Sequence, residues 1–470
     1  MTVTEPAADA TAAGATAAGA TLAVAIDRAE SFDAIAVYAA AVEAGLEAAV
    51  WVQPSEGLAL VGIGRAWAIE AGGPDRFRLA DAAWRALAPS LASAAGRTQT
   101  DVPRGVGPVL LGGLGFSGRV PATDDPWAPF GPSSLVLPEW IGAATDRGHW
   151  VTTTTDAVTT AAGRRRMERI LARARELAPA RGALVARPVS TPLHVVDERP
   201  DQPHWSRIVG LFAGAVGRGR LDKVVLARRV VLTSPADLDT ENALRRLAAG
   251  APESTVFAFR RDDRTFLGAT PERLIRTDGR AFRTVAIAGS VGRGHDSASD
   301  EALARELLAS DKDREEHAVV VAAIRERLAP ICDELHLEGE PRVLTLRTVQ
   351  HLVTEIDGVV RDREGLLALA ERLHPTPAVG GEPRELALSL IDEHEGFDRG
   401  WYAGPIGWLG VDGDGECMVA LRSGIVDHTR ATLFAGCGIV ADSDSAREWE
   451  ESRLKLRALA SALGRPGDEP

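Results

Sequence analysis

Residues 221–232 read LDKVVLARRVVL. Val224, Val225, Leu226, Ala227, Val230 and Val231 are apolar and mostly β-branched, which predicts a buried strand. One lysine, Lys223, stands near its start, with Gly217 and Gly219 just upstream. A lysine in such a strand is costly unless its ammonium reaches a counter-charge or a wet cavity, and a cavity is where an amine serves as a base. The same pattern suits an edge-strand lysine that reaches solvent and discourages aggregation. Its company further along the chain decides between the two.

The whole chain has 470 residues, room for two or three ordinary domains or one large fold of two sub-domains. Hydrophobic residues make up 45% and charged residues 25%, as in a soluble globular protein. With 53 basic against 66 acidic residues the net charge is −13, which argues against nucleic acid or an anionic membrane as partner. A locally positive pocket for a small anion is still compatible with it. The three cysteines, Cys332, Cys417 and Cys437, lack metal-type spacing, and a reducing cytoplasmic setting is the simplest expectation.

Residues 1–22 form an alanine-rich stretch without the basic and apolar regions of a secretory signal, and a disordered tail is expected there. An N-terminal sub-domain is expected over 23–200, with Phe77–Ala95 as an amphipathic helix and Gly105–Phe116 as a glycine-rich strand pair. Pro121–Pro138 suggests a covering loop, and Arg164–Ala178 a charged, solvated helix. The proline-rich Pro188–Pro203 is the best boundary, after which 204–465 carries the chemistry.

Four constellations stand out in that second part. In FLGATPERLIR (266–276), Thr270 and Pro271 predict a helix N-cap and first turn, with Glu272 inside it. A helix dipole would depress that carboxyl, so an acid role needs burial or a nearby charge to offset it. VAIAGSVGRG (285–294) lacks the residues of a nucleotide loop and reads as a tight turn offering N–H groups to an anion, or simply as a glycine-rich loop. Helix 311–328 places Asp313 and Glu316 on one face, and helix 445–463 does the same for Glu448, Glu451 and Lys455. Either pair is ordinary surface electrostatics alone; converging, they make an all-oxygen site suited to Mg²⁺. His351 reads equally as a core or a pocket residue. Arg422, in VALRS (419–423), reads as a strand arginine suited to bidentate capture of a carboxylate.

Taken in order, LDKVVLAR, GATPERL, AIAGS, DKDREEH, VQHL, LHPTPAVGG, WYAGPIGW, ALRS, AGCGIV and REWEESRLK resemble the chorismate-utilising enzymes over about 204–465. The N-terminal half resembles them only loosely, mainly at PEW (138–140). The resemblance implies one large α/β (α+β) fold of stacked antiparallel sheets flanked by helices, with the active site between them and Mg²⁺ as metal. By position, Lys223 matches the base that activates water and Glu272 the acid that protonates the departing hydroxyl. Glu316 and Glu451 match direct Mg²⁺ ligands, with Asp313 and Glu448 acting through water. Tyr402, Arg422 and Lys455 match substrate-carboxylate contacts, helped by backbone at Gly289, Ser290, Gly436 and Gly438, while His351 matches the histidine of the ring pocket.

Within the family, ammonia-using members typically carry glutamine where Lys223 stands, so water is the expected nucleophile. Lyase members, which go on to release pyruvate, tend to carry threonine where Ala378 aligns. The chain therefore looks like an isochorismate synthase serving menaquinone or siderophore formation; salicylate synthase and the ammonia-using large subunits are the alternatives. Chorismate is the expected partner, with no nucleic acid, membrane or obligatory amidotransferase, in a monomer. Pro377 and Cys437 depart from the usual pattern.

Overall fold

A computed structural model describes residues 22–95, 102–154, 161–178, 191–345, 349–361 and 364–466. The expected disordered tail lies, apart from Leu22, outside these residues. Among them no helix is long and apolar enough to cross a membrane.

Apolar alternation builds the layers. In the strand Thr255–Arg261, Phe257 and Phe259 point to one face and Val256 and Ala258 to the other, all fully buried. A strand hydrophobic on both faces belongs in the middle of a layered fold. The phenylalanines join a core that also takes Ile275, Ile406 and Met418 from a second sheet; the smaller residues join one beneath the helices Ala34–Glu43, Thr240–Gly250 and Ser445–Leu463. Trp127 and Phe130, expected on a covering loop, are instead buried between the sheets, where Trp127 lies edge-on to Phe266.

The larger sheet has 13 strands among the described residues. Its central run is Ala48–Gln53, Thr255–Arg261, Arg264–Thr270, Ser423–Asp427, Arg430–Ile439, Lys223–Thr233 and Pro192–Arg199, all antiparallel neighbours. The second sheet has ten strands, its middle being Val349–Val360, Ala281–Gly292, Arg273–Asp278, Gly415–Val419, Pro405–Gly410 and Val109–Leu114. Both sheets continue without a break from the first part of the chain into the second: Trp51 pairs with Phe257, and Leu111 with Trp408.

Several local expectations change. The lysine strand is interior, paired with Arg430–Ile439 on one side and with Pro192–Arg199 and Gly381–Glu382 on the other, which removes the edge-strand reading of Lys223. Part of the proline-rich boundary is itself the strand Pro192–Arg199. Gly105–Phe116 yields one strand, Val109–Leu114. VAIAGSVGRG is the end of the strand Ala281–Gly292, with a register shift between Ala288 and Ser290 where Gly289 adopts φ +73°. A β-bulge with a left-handed glycine replaces the expected loop.

The largest correction concerns Thr270–Glu272. No helix begins there. The chain leaves the strand Arg264–Thr270 of one sheet and enters Arg273–Asp278 of the other, with Pro271 and Glu272 as the whole crossover. Threonine and proline are as good at ending a strand as at starting a helix, and sheet pairing decides. Arg422 is likewise not in a strand. It lies in the return crossover between Gly415–Val419 and Ser423–Asp427, at φ +49°. The two crossovers bond to each other: Val419 N–H donates to the Glu272 carbonyl at 2.9 Å, and the Thr270 hydroxyl to the Val419 carbonyl at 2.5 Å.

Candidate active site

One cavity opens where the sheets exchange strands. Lys223, Glu272, Gly289, Ser290, His351, Ala378, Tyr402, Arg422, Gly436, Gly438 and Lys455 line it, together with Glu316 and Glu451. Asp313 and Glu448 do not line it; each sits one helical turn from a carboxylate that does.

The Lys223 side chain is 8% exposed, and its ammonium makes a short hydrogen bond to Glu316. Its path crosses Gly438 on the neighbouring strand, where an added Cβ would stand 2.7 Å from Lys223 Cε. Strand alternation turns Gly436 and Gly438 toward the cavity and Cys437 away from it. The Cys437 thiol is fully buried and donates to the Glu448 carbonyl at 3.2 Å. The departure at Cys437 therefore leaves the cavity wall unchanged. Pro377 also stays off that wall, while Ala378 is on it.

Glu272 has the opposite electrostatics to those a helix start would give. Burial pushes its carboxyl up to about 7, against the nearby positive charges of Lys223, Lys455 and Arg422. A carboxylic acid near neutrality is suited to proton donation. Its neighbour Arg273 fixes the crossover, with Nε 2.5 Å from Glu416 Oε1 in the buried wall.

Arg422 forms no salt bridge with a described residue, so its guanidinium remains available to an anion; burial lowers its pKa, and Glu253 and Glu272 oppose that. Lys455 Nζ is held 2.8 Å from the Gly436 carbonyl and 2.7 Å from Glu451 Oε1. Burial works against its charge, but Cys437, Glu451 and Tyr402 together raise its pKa. Tyr402 stacks on Phe434 with ring centroids 5.2 Å apart, and burial raises its phenol.

His351 is a pocket residue, opposite the bulge, with Nδ1 2.7 Å from the Ser290 hydroxyl. Burial, then Arg422 and Lys455, lowers its pKa to about 4, so the ring is neutral. Gly289 allows the close approach of the carboxylate helix, since a Cβ there would lie 3.0 Å from Asp313 Cβ.

One charged lining residue, Arg399, was not expected from the sequence. Arg399 is buried, pairs with Glu395 (Nε to Oε2, 2.8 Å) and donates to the Val225 and Val379 carbonyls at 2.7 and 2.9 Å. Glu395 in turn accepts from Ala227 N–H at 2.7 Å. This ion pair clamps the lysine strand from behind. Its signal was an acid and an arginine four apart in EHEGFDRG (393–400), which resembles surface pairing.

Comparison with known proteins gives a consistent picture. A family model described as chorismate binding enzyme matches residues 9–464. The isochorismate synthase MenF of Bacillus subtilis is 40% identical over 267 residues, 57% of each chain. The salicylate biosynthesis isochorismate synthase of Pseudomonas aeruginosa is 44% identical over 267 residues, 57% of this chain and 56% of that protein. The match thus spans little more than half the length of these two relatives. The solved structure of MenF, the menaquinone-specific isochorismate synthase from Escherichia coli, superposes with a TM-score of 0.72 at 26% identity, covering 94% of each chain.

Proposed function

The chain belongs to the chorismate-binding enzyme family, and from that premise we propose that it is an isochorismate synthase. It moves the hydroxyl of chorismate by adding water at C2 and expelling the oxygen at C4. The observation that carries this reading is that Lys223 and Glu272 line one cavity together with Arg422, which forms no salt bridge with a described residue, and with Glu316 and Glu451 of the two carboxylate helices. A base, an acid and an anion clamp are the parts the reaction requires.

Arg422 binds one substrate carboxylate, and Lys455 and the backbone around Gly436 orient the other end of the dianion. Lys223 acts as the base and takes a proton from water as the water oxygen bonds to C2. The two ring double bonds shift, the C4–O bond breaks, and Glu272 gives its proton to the departing oxygen. One water is consumed and one released, so the reaction is an isomerisation. Each proton transfer is worth a factor of about 10² to 10⁴. Lys223 and Glu316 also border a second recess with Asp222, Lys312 and Asp442, which gives the lysine a route to solvent for shedding the proton. Neutral His351 and Tyr402 hold the ring without adding charge.

Family members use a divalent metal, and the donor set here fits Mg²⁺. Ligand atoms of Cys437, Glu448 and Glu451 lie within 4.8 Å of one another, yet burial pushes the Cys437 thiol up to about 12, which leaves the carboxylates as donors. Carboxylate oxygens suit a hard cation. Glu316 and Glu451 would hold it directly, with Asp313 and Glu448 acting through water. Bound there, Mg²⁺ supplies positive charge to the substrate carboxylate.

The test is to incubate the purified chain with chorismate and Mg²⁺ and identify the products. Isochorismate as the main product supports the proposal. Salicylate with pyruvate, or an amino product formed only with ammonia, would replace it with another family activity. The chain needs no amidotransferase partner in this reading, since water is the nucleophile.

A further inference from the structure

The helix Ser445–Leu463 brings Glu451 and Lys455 to the cavity wall, with Glu448 one helical turn before Glu451. It does so beside a gap in the larger sheet. The strand Arg430–Ile439 pairs with Ser423–Asp427 only as far as Leu433. Beyond Leu433, among the described residues, that side of the strand carries no neighbour, and Lys455 Nζ bonds the Gly436 carbonyl there.

What the helix presents at this gap depends on its rotation. Glu448, Glu451 and Lys455 share one face. Trp449, Ser452 and Leu456 each follow by one residue, about 100° round the helix, and are buried. Whatever fixes this second row therefore aims the first.

Arg228 grips the second row. It lies on the strand that carries Lys223, and its side chain is fully buried. The guanidinium carbon stands 3.3 Å from the centre of the Trp449 ring, and Nη1 donates to the Ser452 hydroxyl at 2.9 Å. That hydroxyl gives its own hydrogen to the Trp449 carbonyl at 2.6 Å. Nη2 reaches Glu198 Oε1 at 3.0 Å on the strand Pro192–Arg199, while the buried Nε has no partner. Trp205 meets Trp449 edge-on, with ring centroids 6.2 Å apart.

Arginine is a costly residue for this place. Burial lowers its pKa to about 10, against the charge of Glu198. Apolar residues of like volume often replace a buried ion pair with no loss of stability. Packing alone does not call for a guanidinium; direction does. Its face stacks on an indole while its edge donates to a hydroxyl, a combination that neither a thioether nor an ammonium supplies.

We propose that Arg228 is a positioning residue for the metal site: by locking Trp449 and Ser452 it aims Glu448 and Glu451. It thereby ties the metal carboxylates to the strand of the catalytic lysine. The inference rests on the metal role given above to those carboxylates.

Mg²⁺ alone is titrated calorimetrically into full-length wild type, Arg228→Met, Arg228→Lys, Ser452→Ala and Glu198→Gln, with a thermal melt of each. Arg228→Met should bind Mg²⁺ about 10- to 100-fold more weakly while melting close to wild type. Arg228→Lys should not restore binding. Glu198→Gln, which leaves the grip on the helix intact, should bind as wild type does. Wild-type affinity in Arg228→Met, recovery in Arg228→Lys, or an equal loss in Glu198→Gln would each overturn the proposal. Where Arg228→Met melts early, Ser452→Ala becomes decisive: it deletes one hydroxyl, several-fold weaker binding is expected, and wild-type affinity overturns the proposal. A wild type that binds no Mg²⁺ would refute the metal reading itself and the proposal with it, a result distinct from all of these.

Discussion

Lys223 and Glu316 meet across the molecule: an ammonium on a strand of one sheet donates to a carboxylate on a helix packed against the other. The carboxylate side chain is 24% exposed, so removing its partner leaves it within reach of water. Lys223→Ala should therefore cost only about 1 kcal/mol of stability. Turnover of chorismate should fall by roughly 10² to 10⁴. Chromatographic product analysis beside a thermal melt checks both; an active variant would remove Lys223 from the mechanism.

Glu272 sets a pH limit. Its carboxyl is raised to about 7, and the acid role proposed for it requires the proton, so kcat/KM should decline above pH 7. The stability sign follows from the same shift. Between the ordinary carboxylate range and pH 7 the folded protein keeps a proton that the unfolded chain has lost, so stability falls as pH rises. Glu272→Gln removes that penalty. It should abolish most activity while stabilising the fold by ~3 kcal/mol at pH 8 and by almost nothing at pH 4. Melts at the two pH values decide it.

Gly438 lies across the path of the Lys223 side chain. A methyl at 2.7 Å from Lys223 Cε forces the lysine side chain aside without touching its chemistry. Gly438→Ala should lower kcat by about 10² with KM nearly unchanged, because misplacement of a reacting group by an ångström is enough. Equal losses in kcat and in thermal stability would point to a general packing defect.

Metal dependence should divide the four carboxylates. Chelation should abolish turnover, and Mg²⁺ should restore it. Glu316→Gln and Glu451→Gln should weaken Mg²⁺ binding more than tenfold, and Asp313→Asn and Glu448→Gln less, since a water intervenes there. Titration calorimetry with Mg²⁺ alone tests this without relying on activity.

The sequence was most informative where a local pattern and a long-range one agree. The lysine strand and the two carboxylate helices are periodic over many residues, and their positions follow from that periodicity. Glu272 and Arg422 stand on the cavity wall, but their backbone is not what their segments suggest. Their segments carry cap and strand signals that are locally reasonable, and only the exchange between sheets, a pairing of distant residues, decides their backbone. Arg399 and Glu395 went unnoticed for a related reason. A pair spaced for a helix surface gives no hint that both members are buried against a strand more than 160 residues earlier.

The paired crossovers also bear on how the protein comes to be active. Glu272 and Val419 bond only after segments 147 residues apart have met, at the junction of both sheets. Chain regions joined over such separations close slowly and late. Catalytic competence should thus be acquired in the last folding step, with no partly active intermediate. Deuterium exchange at the Val419 amide, followed during refolding, offers a clock for that event.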